Sequence, residues 1–471
     1  MISFILNNTE ITTTEPAGSV LLDFIRSQQL TGTKEGCREG DCGACLVLQG
    51  KISGNSVIYK SINSCLVPLG NVHGSHIVTI EGIDTGVLNP LQQAFVEEGA
   101  TQCGYCTPGF ILAETAYLLK NNQPKADQAI TALDGNICRC TGYMSIKRAV
   151  TKTCTVLSES SGNAKTSSSN LSNLIEKGFL PEYFDDIPGR LKKIPADTSY
   201  KIEHPEYVVA GGTDLYVQKE ADISDKNIRL IFNSIHLGDI YEKNGFIYLG
   251  GGTTVSDFIE SDLINRHLPR IKDQLKLHSS TPIRNRATLA GNIVNASPIA
   301  DMTIILLALD ATLLLEGRNG RRPVSLRKFY NGYKKYDLAK NELIRMVFFP
   351  VPSAHSSFNF EKVSRRTYLD IASVNTAAYL EYKDDKIHRA HISAGGVAPF
   401  PLFLEKTSEL LTSSVFNKNV MATVLESARK EISPISDMRG SAEYKSVLLG
   451  QLLTAHFLIF FSQLNLMDQE L

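Results

Sequence analysis

Residues 32–47 read GTKEGCREGDCGACLV. Cys37, Cys42 and Cys45 fall here as C-x4-C-x2-C, and Cys65 follows in INSCL. This is the plant-type spacing for a [2Fe–2S] cluster. One loop must wrap a small inorganic cluster and present three thiolates to it. Gly36, Gly40 and Gly43 permit tight turns and close backbone approach. They also leave amide N–H groups free to point at cluster sulfurs, which stabilises an anionic cluster. The alternatives are four ordinary buried cysteines in a glycine-rich turn, or a zinc site, although zinc sites usually pair their ligands as two short C-x2–4-C units.

A second group lies downstream. Cys103 and Cys106 sit in QCGYCTPGF (102–110), and Cys138 and Cys140 in GNICRCTGY (135–143). Each pair immediately precedes a segment of helical spacing. Two helix N-termini would therefore bring partial positive charge and free N–H groups to the thiolates. A second [2Fe–2S] cluster fits this arrangement best, with zinc as the plain alternative. Two one-electron carriers side by side imply a relay. Cys154, the ninth cysteine, reads as a bystander.

All nine cysteines lie in the first 154 of 471 residues. An odd, clustered set without a secretion signal argues for metal or redox chemistry in a reducing, cytoplasmic compartment. The start, MISFILNNTEIT, reads as a strand alternating around Ile2, Phe4 and Leu6. Hydrophobic residues make up 43% and charged residues 21%, values of an ordinary globular chain and not of a disordered or collagen-like one. The net charge of −1 offers no basic field for nucleic acid. No apolar run approaches the length of a membrane span.

The chain divides by character into an α+β multidomain protein. Residues 1–85 alternate short strands around one helical segment, SVLLDFIRSQQ. Residues 86–156 are helical, with Asn89-Pro90 and Thr107-Pro108 as N-cap and first-turn pairs. Residues 157–179 contain SESSGNAKTSSSN and read as a flexible linker. Mixed patterning fills 180–355. A last region, 356–471, has strands followed by amphipathic helices.

Two glycine turns stand out after the linker. EYVVAGGTDLYV (206–217) is an apolar strand running into Gly211-Gly212, whose consecutive N–H groups suit a pyrophosphate. It is not the G-x-G-x-x-G fingerprint, and a plain strand turn is the alternative. TPIRNRATLAGNIVNASPIADM (281–302) carries a second Gly-Asn turn and Asp301. Arg284 and Arg286 read equally as phosphate ligands or as solvated surface charge.

Taken together and in this order, GTKEGCREGDCGACLV, QCGYCTPGF, GNICRCTGY and the two glycine loops resemble the xanthine dehydrogenase/aldehyde oxidase family of molybdenum hydroxylases. The likeness runs over about residues 1–460. It implies a β-grasp ferredoxin-like domain and a four-helix [2Fe–2S] domain. An FAD-binding domain of vanillyl-alcohol-oxidase type and a C-terminal α/β flavoprotein domain follow. It also implies that Cys37, Cys42, Cys45 and Cys65 hold one cluster, and Cys103, Cys106, Cys138 and Cys140 the other. The first FAD loop would comprise Val208, Val209, Ala210, Gly211, Gly212, Thr213, Asp214 and Leu215. The second would comprise Thr288, Leu289, Ala290, Gly291 and Asn292. Asn295, Asp301, Ile344 and Lys362 match further FAD contact positions. Tyr333, with plain core or surface packing as its alternative, and Asp370 in SRRTYLD match positions beside a nicotinamide site. His278 falls where many relatives have a phenylalanine near the flavin ring, and it is given no role.

Iron–sulfur and flavin parts fused in one chain, with no molybdenum domain, resemble the small subunit of bacterial members. The likeness implies electrons from a molybdenum cofactor on a large partner subunit, passed through both clusters to FAD and on to NAD+. It further implies purine oxidation and an (αβ)2 heterotetramer. An aldehyde or N-heterocycle hydroxylase of the same build is a second reading. A non-catalytic electron carrier or zinc-stabilised module is a third. No acid/base triad is expected, because the hard chemistry belongs to the cofactors.

Overall fold

The computed structural model describes residues 1–159, 170–195, 205–224, 226–234, 237–383 and 386–462. It forms two compact units. The first comprises Met1–Asn233 with Ser280–Arg286, and the second Ser234–Ser279 with Ala287–Leu471.

The first unit opens with the strand Ile2–Leu6, as its alternation predicts. It joins a five-stranded sheet in the order Thr9–Thr13, Ile2–Leu6, His76–Val78, Leu46–Ser53, Ser56–Asn63. Neighbours are antiparallel except Ile2–Leu6 and His76–Val78, which run parallel. The helix Leu21–Ser27 buries Leu21, Leu22, Phe24 and Ile25, and Phe24 meets Phe4 edge-on at 5.6 Å. One helix laid on a mixed five-stranded sheet is the expected β-grasp domain.

Four helices follow: Pro90–Glu97, Thr107–Lys120, Ala126–Thr131 and Met144–Glu159. Asn89 caps the first through a full capping box with Gln92. The cap expected at Thr107 sits one residue earlier. Cys106 is the N-cap, with no side-chain cap bond, and Thr107 and Pro108 occupy the first turn. A tight turn between Cys103 and Cys106 lets the helix start directly on a thiol.

The range 157–179 differs from its linker reading. Residues up to Glu159 complete a helix, and Asn170–Glu176 forms another. Leu174, Phe179 and Leu180 are buried in the same core as Phe95 and Phe110. The serine-rich stretch 160–169 itself lies outside the described residues. Ile187 and Leu191 pack on Ile5 of the first strand, so this stretch sits with the β-grasp sheet and not with a flavin domain beginning at 180.

Later residues also join the first unit. Tyr207–Val209 pairs in parallel with Ile228–Leu230, and the helix Leu215–Ile223 lies between them in sequence. Apolar burial overrides sequence order here: Val209, Tyr216, Ile223 and Ile228 share a core with Val20, Leu22 and Leu66.

Among the described residues the second unit holds a two-stranded sheet, Tyr330–Gly332 with Lys335–Tyr336, and two larger antiparallel sheets. One runs Gly320–Ser325, Thr312–Gly317, Leu343–Pro350, Phe246–Gly250, Ile240–Lys243. The other runs Ser356–Val363, Val374–Lys383, Lys386–Gly395, Leu402–Phe403, with helices Glu405–Leu411, Lys418–Glu431 and Ala442–Phe460 after it. The boundary read near 355 coincides with the change of sheet, but both sheets lie in one compact unit. The apolar run after Asp301 becomes the helix Asp301–Ala308, buried along its length.

Candidate functional site: paired cysteines and a flavin-type loop

The Cys37–Cys45 loop is irregular because its glycines make it so. Gly40 and Gly43 take φ of +78° and +70°, which L side chains rarely adopt. A Cβ on Gly36 would lie 2.7 Å from Cys42 Sγ. Asn63 Nδ2 donates to Gly40 O at 2.7 Å, and Ser64 Oγ to Cys45 O at 2.7 Å, fixing the loop to the strand that delivers Cys65. The N–H groups of Glu39 and Cys42 point at Cys37 Sγ at 3.3 and 3.4 Å. The Cys42 thiol first, and these amides after it, outweigh burial and lower the Cys37 thiol to about 5.

The eight thiols meet in twos. Cys37 hydrogen-bonds Cys42, and Cys45 hydrogen-bonds Cys65. Cys140 Sγ lies 3.6 Å from Cys103 Sγ, and Cys106 pairs with Cys138. Among the described residues no three His, Cys, Asp or Glu side chains close on one ion position. A cluster of two irons takes four thiolates, two per iron, whereas a structural zinc takes four on a single ion. Paired thiols lined by amides fit the two-iron group.

Cys138 Sγ likewise faces amides, those of Cys140 and Thr141 at 3.5 and 3.4 Å. Cys45 and Cys65 are each 2% exposed, whereas Cys103 and Cys140 are on the surface, with Tyr105, Tyr143 and Met144 also exposed nearby in sequence. Backbone links the two cysteine groups. Ile137 N–H donates to Cys42 O at 3.0 Å, and Asn136 Nδ2 to Gly43 O at 3.3 Å. A Cβ on Gly43 would lie 2.3 Å from Gly135 O.

The first glycine loop packs against the Cys65 turn. Cys45, Cys65, Leu66, Val209 and Tyr216 share one apolar core. Gly211 and Gly212 are buried, and no described residue accepts the N–H groups of Gly211, Gly212 or Thr213. A buried amide without an acceptor calls for a ligand. The donors therefore fit a pyrophosphate. Gly212 has a different reason from the one its sequence suggests. It takes φ +87°, and a Cβ there would lie 2.6 Å from Leu66 O. Glycine admits the neighbouring protein backbone at this position.

Arg284 and Arg286 are not solvated surface charges. Arg284 Nη2 donates to the buried Asp134 at 2.7 Å. Arg286 is 2% exposed and donates to Gly211 O.

The second loop, Thr288–Asn292, lies in the other unit. Four of its amides already have protein acceptors. Leu289 N–H bonds Thr253 O, Ala290 bonds Gly251 O, Gly291 bonds Thr288 Oγ1, and Asn292 bonds Thr288 O. Asn295 Oδ1 accepts from Lys334 at 2.8 Å, and Ile344 is 3% exposed in the core. Asp301 and Lys362 come together at 2.8 Å, with His278 Nδ1 at 2.8 Å from the same Asp301 oxygen. Burial opposes the Asp301 charge, but the Lys362 ammonium and His278 overcome it and hold the carboxyl well below the usual carboxylate range. Lys362 also donates to Leu277 O at 2.8 Å. Asp370 turns onto its own loop, accepting from the N–H groups of Arg366 and Ile371, while Tyr333 stands 63% exposed.

Sequence reading gave His278 no role, left Arg286 between phosphate ligand and surface charge, and passed over the triplet Gly250–Gly252. The triplet had a visible signal, three consecutive glycines. A Cβ on Gly251 would lie 2.0 Å from Ile344 O, so the strand end can approach its neighbour only as glycine.

Four family profiles match successive stretches. They are a 2Fe-2S iron-sulfur cluster binding domain (4–68), a [2Fe-2S] binding domain (79–151), an FAD binding domain in molybdopterin dehydrogenase (198–352) and a CO dehydrogenase flavoprotein C-terminal domain (359–459). Xanthine dehydrogenase of Blastobotrys adeninivorans is 29% identical over 95% of this chain and 40% of its own length. Xanthine dehydrogenase 1 of Arabidopsis thaliana is 29% identical over 90% of this chain and 37% of its own. The chain thus spans about 40% of the length of these curated relatives. Among solved structures, CO dehydrogenase of Oligotropha carboxidovorans aligns with a TM-score of 0.50 at 28% identity, covering 53% of this chain and 87% of that one.

Proposed function

We propose that this chain, whose four domains fit a molybdenum hydroxylase iron–sulfur/FAD subunit, serves a xanthine dehydrogenase, carrying electrons from a molybdenum centre outside these residues toward NAD+. The observation that carries the reading is a continuous path in the first unit. The exposed Cys103/Cys140 group touches the Cys37–Cys45 loop through Ile137 and Cys42, and the Cys65 turn packs on the Gly211-Gly212 loop. When bound, the clusters supply one-electron carriage and FAD joins single electrons to a two-electron acceptor.

The protein's own part is to hold and to insulate. Cys103, Cys106, Cys138 and Cys140 hold the group nearer the surface, where a donor can approach. Cys37, Cys42, Cys45 and Cys65 hold the other, whose Cys45 and Cys65 side is packed against Leu66, Val209 and Tyr216 while Cys37 and Cys42 are half-buried. Amides at Cys37 and Cys138 stabilise the anionic clusters, and so favour reduction. The Gly211–Thr213 amides cradle the FAD pyrophosphate. Asp301, Lys362, Thr288–Asn292, Asn295 and Ile344 are likewise assigned to FAD, and Tyr333 and Asp370 to the nicotinamide. A molybdenum-binding partner in an (αβ)2 assembly, purine as substrate and a cytoplasmic location complete the reading. Among the described residues no helix is long and apolar enough to cross a membrane.

Iron, sulfide and flavin analysis of the purified chain tests this. About four iron atoms and one FAD per chain are expected; two zinc ions and a colourless protein would reject it. Cys106→Ser should remove one of two electron-paramagnetic signals and leave FAD in place. An unchanged pair of signals would contradict the ligand assignment. Hypoxanthine oxidation by the assembled complex, with NAD+ reduced, separates purine from aldehyde substrates.

A further inference from the structure

Arg286 is the largest side chain that the first unit fully buries, and the proposed relay does not use it. Its guanidinium stacks on the Phe232 ring at 3.7 Å. Nε and Nη2 donate to Gly211 O at 3.3 and 3.2 Å, and Nη1 to Gln49 Oε1 at 3.4 Å. No carboxylate among the described residues lies within ion-pair distance of it. A charge held this way in the interior is costly unless something else answers it.

A second anchor stands beside it. Asn71 Nδ2 donates to Ala210 O at 3.0 Å. Asn71 O in turn accepts from Gln49 Nε2 and Asn233 Nδ2 at 3.2 and 3.1 Å. Two successive carbonyls of the glycine loop are thus drawn toward side chains of the β-grasp domain and the Ser280–Arg286 segment. Every described peptide bond is trans, so each carbonyl and the following N–H point in opposite directions. Fixing Ala210 O and Gly211 O therefore turns the Gly211 and Gly212 N–H groups the other way. These are among the amides left without a protein acceptor.

We infer that Arg286 is a positioning residue for flavin-dinucleotide binding: together with Asn71 it holds the Ala210 and Gly211 carbonyls and so orients the Gly211 and Gly212 amides toward the diphosphate. The inference rests on the FAD reading of this loop. It also makes FAD affinity depend on the iron–sulfur domain, through Gln49 and Asn71. The Arg286 charge is held by carbonyl dipoles and the Phe232 face.

The test uses the full chain with its clusters in place, stripped of flavin and titrated with FAD and with riboflavin, which has no phosphate. Arg286→Met should bind FAD about tenfold or more weakly, the factor expected for misaligning one amide hydrogen bond to a charged phosphate. Its riboflavin binding and iron content should be unchanged. Arg286→Met binding FAD as tightly as the parent would overturn the inference and leave the flavin reading standing. A parent that binds no FAD would overturn both. Asn71→Leu loses only the second anchor and serves where Arg286→Met does not fold. It too should weaken FAD selectively over riboflavin, and equal loss of both flavins would overturn the positioning role.

Discussion

Glu114 shows what a single side chain can do to this fold. It lies in the helix Thr107–Lys120, is fully buried, and neither carboxyl oxygen has a hydrogen-bond partner in the structure. Thr153 and Cys154 face it. Burial pushes its carboxyl up to about 8, with Thr153 opposing only weakly. The folded chain thus binds this proton more tightly than the unfolded chain does. Its contribution is intact below the ordinary carboxylate range and is lost as pH rises through about 8. Glu114→Gln keeps the shape and removes the titration. We expect the variant to be more stable by roughly 2–4 kcal/mol at pH 8, since each tenfold difference in proton affinity between folded and unfolded chain is worth about 1.4 kcal/mol, and little changed at pH 4. Denaturant midpoints at the two pH values check this.

Short elements do their work here by where they dock. The turn Thr281–Arg284 belongs to the first unit although the residues on both sides of Ser280–Arg286 belong to the second. Asp134, whose side chain is 1% exposed, accepts from the Thr281 N–H at 2.8 Å and from Arg284 at 2.7 Å. Gly135 makes room for Pro282, since a Cβ there would come within 2.8 Å of its ring. Removing the cation should be worse than removing the pair, because it strands a buried carboxylate. Arg284→Leu is expected to cost about 3 kcal/mol, and Arg284→Leu with Asp134→Leu distinctly less. Thermal midpoints of the two variants decide between them. The sequence could not reveal this contact, since PIRNR reads as an ordinary basic turn until Asp134, some 150 positions earlier, is folded against it.

At the scale of the molecule, all eight paired thiols and the amide cradle belong to the first unit. Removing iron should therefore act unevenly. Cys45 and Cys65 lie inside the core that also holds Val209 and Tyr216, and emptying that site leaves a hole lined by thiols and apolar groups. Amide exchange of iron-free protein is expected to rise across 31–70 and 207–224. The strands Val374–Lys383 and Lys386–Gly395 of the second unit should stay protected. Equal loss of protection in both units would contradict the separate cores.

Sequence by itself determined the chemistry and most of the elements. Cysteine spacing and the glycines between them point to two metal groups, because ligand number and loop length are local properties. The strand at Ile2–Leu6, the cap at Asn89 and the Gly211-Gly212 turn are equally local, resting on side-chain alternation, one hydrogen-bonding side chain and the absence of a Cβ. Only the tertiary structure decided the rest. It moved part of the flavin region into the iron–sulfur unit, buried Arg286, put His278 on Asp301, and gave Gly212 a protein backbone as its neighbour. Each of these is a meeting of residues far apart in the chain. Which apolar faces share a core, and which charge is left to find a partner inside it, depends on that packing and leaves no mark on local spacing.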